Sequence, residues 1–153
     1  MATAIFVNLP TTDLDRSKAF FTGIGWRLDP NFTDDNAACV VIDENIYLMV
    51  LTREFFATFT DKPIVDPRTS IQVETALSCD SRADVDAFID RVVAAGGTEH
   101  RTAQDYGPMY SRDFEDPDGN LFSMIWMDPV AAEQGWDSAE AQQPAADSQG
   151  ADG

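Results

Sequence analysis

A net charge of −17, from 27 acidic and ten basic side chains in 153 residues, repels phosphate backbones and anionic lipid surfaces at long range, so no nucleic-acid or membrane partner is expected. The length suits one well-buried domain rather than two, and no apolar run is long enough to span a bilayer. The N-terminus lacks the basic segment and apolar core of a signal peptide, which predicts a cytoplasmic protein.

In chain order, Ala4 to Leu9 is rich in strand formers. Alternation places Phe6 and Asn8 on one face and Ile5, Val7 and Leu9 on the other. Thr12 and Asp15 have the spacing of a capping box, and Leu14, Ser17, Phe20, Phe21 and Ile24 then recur at helical spacing up to Gly23 or Gly25. Trp26 starts a strand. Asn36 to Asp43 and Ile46 to Thr52 predict a hairpin about Asp43-Glu44-Asn45. Arg53 to Thr60, with Phe55, Phe56 and Phe59, suits a short helix, and residues 61–68, holding Pro63 and Pro67, form a loop that divides the chain.

The second half repeats this order of strand, capped helix, strand and hairpin. From Gln72 to Cys79, Val73, Thr75, Leu77 and Cys79 share one face, and Gln72, Glu74, Ala76 and Ser78 the other. A half-polar face turned inwards would be a cavity wall. Ser81 and Asp84 form the next cap, and Val85, Phe88, Ile89, Val92 and Val93 form an amphipathic stripe ending at Gly96-Gly97. Strands follow at about Glu99 to Gln104, Met109 to Phe114 and Leu121 to Met127. The domain therefore spans 1–130, with halves at about 1–60 and 70–129. Neither half covers its own sheet. Two of them, paired within one chain or between chains, close a curved sheet around a cleft. Residues 131–153 carry five acidic side chains and no basic ones. This tail is expected to be disordered from about Ser138, with Trp136 the one residue able to dock it.

Cys39 and Cys79 lack zinc-type spacing and read as reduced, buried thiols, Cys39 being placed where it could line a pocket. His100, the single histidine, reads as a surface or edge residue. No Ser/His/Asp triad, phosphate-cradling glycine loop or dinucleotide fingerprint is present.

Between the last two strands, Phe114, Asp116, Pro117, Asp118, Gly119, Asn120 and Leu121 combine strand formers with turn chemistry. This segment resembles the closing signature F-x-D-P-D-G-N/H-L/I-x-E of the vicinal oxygen chelate superfamily, which includes glyoxalase I, extradiol dioxygenases and bleomycin- and fosfomycin-resistance proteins. The resemblance covers about residues 4–129. It implies an α+β fold of paired βαβββ modules forming a cupped, mainly antiparallel sheet with outer helices, and a homodimer. It also implies a divalent metal held by three or four inward side chains. The corresponding positions fall at Phe6, Glu74 and Ser123, with the fourth near Tyr47 to Met49. Ser123 stands where the family places a metal-binding glutamate. One carboxylate among these is not a metal site, so no cofactor is expected.

The inward strand faces instead offer Asn8, Glu74, Ala76, Ser78, Ser123 and Ile125 as cleft lining. Tyr106 and Met109 at the cleft mouth have side chains able to stack on a flat or cationic ligand. Arg112 suits either an anion handle in the cleft or a structural contact with Glu115 or Asp116. Three functions stay open: a metal-independent protein binding a small amphipathic or aromatic molecule, a metal-dependent lyase or dioxygenase, and a structural or regulatory dimer whose own side chains fill the cleft. Whether the chain is an enzyme is left undecided by its residues.

Overall fold

The computed structural model describes residues 2–135. β1 (Ile5–Thr11) leads into α1 (Leu14–Gly23), the short β2 (Arg27–Leu28) and the hairpin of β3 (Ala37–Asp43) and β4 (Ile46–Thr52). α2 (Arg53–Phe56) and a 3-10 turn, Ala57–Phe59, precede the linker. The second half contains β5 (Glu74–Ser78), α3 (Arg82–Ala94), β6 (Thr98–Glu99), β7 (Gln104–Asp105), β8 (Met109–Glu115) and β9 (Leu121–Met127), and α4 (Pro129–Gln134) follows. One sheet has the order β1-β4-β3-β2, and the other has β5-β9-β8-β6 with β7 also on β8. The first strand of each sheet is parallel to the last, and the other pairs are antiparallel. The fold is α+β, two βαβββ modules of the same topology, in agreement with the periodicity and the signature. No helix among the described residues is long and apolar enough to cross a membrane.

Local rules account for most of these elements. Ser81 caps α3 by accepting from the Asp84 N–H at 3.0 Å. At α1 the cap is Asp13, which accepts from the Arg16 N–H at 3.0 Å, and not Thr12. The Thr12 side chain is turned instead towards Asp118, where its hydroxyl donates to the carboxylate at 2.9 Å and accepts from Arg16 Nη2 at 3.1 Å, bonds strengthened by the charged partners. The strand expected from Glu99 to Gln104 is two short pieces on β8. The His100 N–H still donates to the Asp113 carbonyl, and residues 101–103 then leave the ladder. α4 was not predicted from periodicity. Asp128 caps it and Gly135, at φ +86°, follows its last turn. The expected disorder from Ser138 and the docking role of Trp136 lie outside the described residues.

The helix-bearing faces of both sheets share one core. Phe20 and Phe21 of α1, Ile24 just after it, and Val85, Ile89 and Val92 of α3 join Val40, Leu48 and Val50 of the first sheet and Phe114, Phe122 and Met124 of the second. Aromatic rings cross between the halves, with centroids 6.1 Å apart for Phe21 and Phe122, 6.3 Å for Phe20 and Phe114, and 5.5 Å for Trp26 and Phe88. Arg91 adds a hydrogen bond from Nε to the Ile24 carbonyl.

A second junction is polar. The buried Asp118 carboxylate accepts from Thr11 Oγ1 (2.6 Å), Thr12 N (2.9 Å), Thr12 Oγ1 (2.9 Å), Arg16 Nη2 (3.0 Å) and Ser17 Oγ (3.3 Å). Its own turn is shaped by Asp116, whose carboxylate accepts from the N–H groups of Asp118 and Asn120 and from Asn120 Nδ2. Gly119 takes φ +97°, and a Cβ there would lie 2.9 Å from backbone atoms of Pro67 and Arg68. The linker is thereby seated on the turn. At its other end Arg53 donates to the carbonyls of Ile64 and Val65.

Two outcomes follow. Phe122→Ala removes a ring that touches both modules and is expected to lower the unfolding free energy by about 3–5 kcal/mol in denaturant titration. Burial pushes the Asp116 carboxyl up to about 6. A raised carboxyl stabilises the fold below its unfolded pKa, and that contribution is lost as pH rises through the folded value. The stability of the native chain relative to Asp116→Asn should therefore fall by roughly 3 kcal/mol between about pH 4 and 7. A pH-independent difference would exclude the burial account.

Candidate functional site

Strand alternation puts a second set of side chains on the sheet faces opposite the helices. On the first sheet, Phe6 and Asn8 lie beside Tyr47 and Met49, which lie beside Val41 and Cys39. The rings of Phe6 and Tyr47 stack at 4.7 Å and 8°, yet Phe6 remains 52% exposed, leaving an aromatic platform open to one side. Cys39 is buried there with a free thiol, and burial is the main cause that raises its pKa.

On the second sheet, Glu74, Ala76 and Ser78 pair with Leu121, Ser123 and Ile125. These in turn face Glu115, Asp113 and Ser111, and Met127 faces Met109. The structure thus brings Glu74, Ala76, Ser78, Ser123, Ile125 and Met109 onto one face, in the register that alternation predicts. Tyr106 stands at the β7–β8 bend, where its N–H donates to the Met109 carbonyl and its hydroxyl to Gln104 Oε1. Arg82, bound to Asp105 and the Gly107 carbonyl, braces that bend.

Arg112 is a correction. It is neither in the cleft nor paired with Glu115 or Asp116. Its guanidinium donates to Glu99 at 3.1 and 2.7 Å and to Asp86 at 2.9 Å, and the hydrogen bond to Glu99 is the main cause that raises its pKa. The reason was available in the spacing. Arg112 shares a face with Phe114, and Phe114 is fully buried in the core, so both must point to the helix side. His100 sits at the sheet edge with Nδ1 3.2 Å from Glu115 Oε1.

Sequence reasoning missed Asp113 and Arg101. Asp113 lies directly across from Ser123 and is only 1% exposed. Its Oδ2 accepts from Arg101 Nε at 2.5 Å, and its Oδ1 has no partner. The face of Asp113 was legible from alternation with Met109 and Ser111. The approach of Arg101 was not, because it depends on the chain leaving the ladder after His100. The Glu74 carboxyl is raised by burial and by the negative charge of Asp113, with Arg101 and His100 acting in the opposite sense.

Beside β1 lies a cavity of about 290 Å³, walled by Val7, Leu9, Phe56, Ile64, Val65 and Ile71, with Asn8, Gln72 and Asn120 also on its lining. Its roof is the linker that Gly119 and Arg53 hold in place.

The positions that the resemblance assigns to a metal do not fit one. Phe6 has no donor atom and is stacked on Tyr47, Ser123 supplies a neutral hydroxyl, and Glu74 is the single carboxylate. Among the described residues no three His, Cys, Asp or Glu side chains converge to hold a metal.

A family model described as Glyoxalase/Bleomycin resistance protein/Dioxygenase superfamily matches residues 4–124. No curated protein is similar enough in sequence to match. Among solved structures, a glyoxalase-related enzyme from Fulvimarina pelagi superposes with a TM-score of 0.69 at 22% identity, over 85% of this chain and 91% of that one. A glyoxalase/bleomycin resistance protein/dioxygenase family enzyme from Burkholderia phytofirmans PsJN gives 0.68 at 19%, over 82% and 99%. The fosfomycin resistance protein FosX from Mesorhizobium loti gives 0.63 at 16%, over 87% and 98%. At these identities the superpositions establish the fold.

Equilibrium dialysis against Zn, Mn, Ni and Fe(II) under reducing conditions is expected to leave far less than one ion per chain. Retention of one per chain, abolished by Glu74→Ala, would show that the donor set has been misread.

Proposed function

The chain belongs to the Glyoxalase/Bleomycin resistance protein/Dioxygenase superfamily, and within it we propose a protein that binds a small amphipathic or aromatic molecule in its cleft without the metal its relatives' signature implies. The observation that carries this reading is the apolar cavity beside β1. Its volume is near the lower end of the roughly 300–1,000 Å³ typical of ligand pockets, which suits a compound of two or three rings. Apolar walls supply most of the affinity by removing ligand surface from water. Asn8 and Gln72, also on the lining, are suited to meet a polar end of the ligand.

Supporting features lie on the strand faces. The Phe6 and Tyr47 platform offers a stacking surface, and Ser78, Ser123 and Met109 add small polar and polarisable groups. A homodimer completes the proposal. Among the described residues both sheets are open, with β1 and β2 at the edges of one and β5 at an edge of the other, and a second copy is suited to cover such an edge.

The cavity reading is tested with N-phenyl-1-naphthylamine, a neutral aromatic probe whose fluorescence rises on transfer to an apolar site. The native chain is expected to bind it saturably. Ile71→Asp, at a half-exposed wall position that leaves the core untouched, should weaken binding by about tenfold or more by placing a charge on an apolar wall. Absence of saturable binding, or equal affinity in the variant, would rule the cavity out as the ligand site.

A further inference from the structure

We propose that the face of the second sheet opposite the helices binds a primary ammonium group, held by Asp113, Ser111 and Ser123. The site uses none of the residues of the cavity beside β1 and does not depend on that reading.

The argument begins with an atom that lacks its complement. Asp113 Oδ1 is buried and accepts no hydrogen bond, although Oδ2 of the same carboxylate is bound to Arg101. A buried acceptor left unmade costs on the order of 1–3 kcal/mol, more when it is charged. A donor from outside the chain would complete its hydrogen bonding. The neighbouring side chains on this face are polar. Asp113 lies across from Ser123, and Ser111 is two residues along the same face of β8. Among the described residues no side chain is bonded to either hydroxyl.

Charge decides the class of donor. Asp113 and Glu74 place two carboxylates near one guanidinium, and the remaining cation candidate, His100, is engaged with Glu115. An ammonium group brings one positive charge and three N–H donors, to be shared among Asp113 Oδ1 and the two serine oxygens. An anion would meet net negative charge, and an alcohol satisfies one acceptor without neutralising anything. Arg101, bound through one nitrogen and 53% exposed as a side chain, forms a rim that can swing outward to admit the ligand.

The experiment is a titration of the ¹⁵N-labelled full chain with n-butylammonium chloride and, separately, n-butanol, at constant ionic strength. Saturable shifts at the amides of Ser111, Asp113 and Ser123 are expected with the amine only. Asp113→Asn should weaken the amine by at least about tenfold. Ser123→Val, which leaves the carboxylate in place and occupies the face, should weaken it severalfold and provides an independent test if the first variant melts early. Equal shifts with amine and alcohol would overturn the proposal, as would an amine affinity unchanged in the folded variants. So would no saturation by about 100 mM, which is weaker than any specific site, or binding of Ca²⁺ or Mg²⁺ in place of the amine. Retained N-phenyl-1-naphthylamine binding alongside a failed amine titration would sink this site alone, and the converse result would sink the cavity alone.

Discussion

The fold depends on a single buried carboxylate that speaks for both modules. Asp118 sits in the turn between β8 and β9, yet every side-chain donor it accepts from belongs to the β1–α1 junction: Thr11, Thr12, Arg16 and Ser17. A buried charge persists only when its lone pairs are met, so the turn and the junction must hold fixed positions relative to one another. That requirement explains the neighbouring composition. Asp116 gathers the turn's N–H groups, and Gly119 supplies the positive φ and the bare Cα against which the linker packs.

With the junction held, the helix-bearing faces of the two sheets meet in one aromatic core, and the strand faces opposite them are left for function. Residues pointing into the core are ring-bearing or branched and fully covered, as Phe21, Phe114 and Phe122 show. Residues pointing the other way include Asn8, Ser111, Asp113 and Ser123, which no core would recruit. The linker that joins the modules then becomes the roof of a cavity rather than a passive connection, because it is tethered at Arg53 and at Gly119.

The chemistry offered by these faces differs from that implied by the family signature. A metal site needs several lone-pair donors converging on one point. Phe6 and Ser123 remove that convergence and put an aromatic stack and a hydroxyl in its place. The negative charge of Asp113 and Glu74 remains, and beside it lies an apolar cavity. The combination is suited to recognising an organic molecule by shape, stacking and charge.

Whatever depends on neighbours in the chain was settled by the sequence itself. The period of two in β5 and β9 predicted the shared face of Glu74, Ala76, Ser78, Ser123 and Ile125, the serine before α3 predicted its cap, and Asp116 to Asn120 predicted the hairpin, since each follows from local geometry. The same alternation, applied to Phe114, would have turned Arg112 away from the cleft. Only the tertiary structure decided what joins distant segments. Thr12 caps no helix because Asp118, 106 residues away, competes for it. Asp113 finds Arg101 through a break in the ladder that no local rule predicts, and the cavity exists because the linker is pinned across β1. Local preferences are written into adjacent residues, whereas these contacts arise from which groups the shared core and the Asp118 junction bring together.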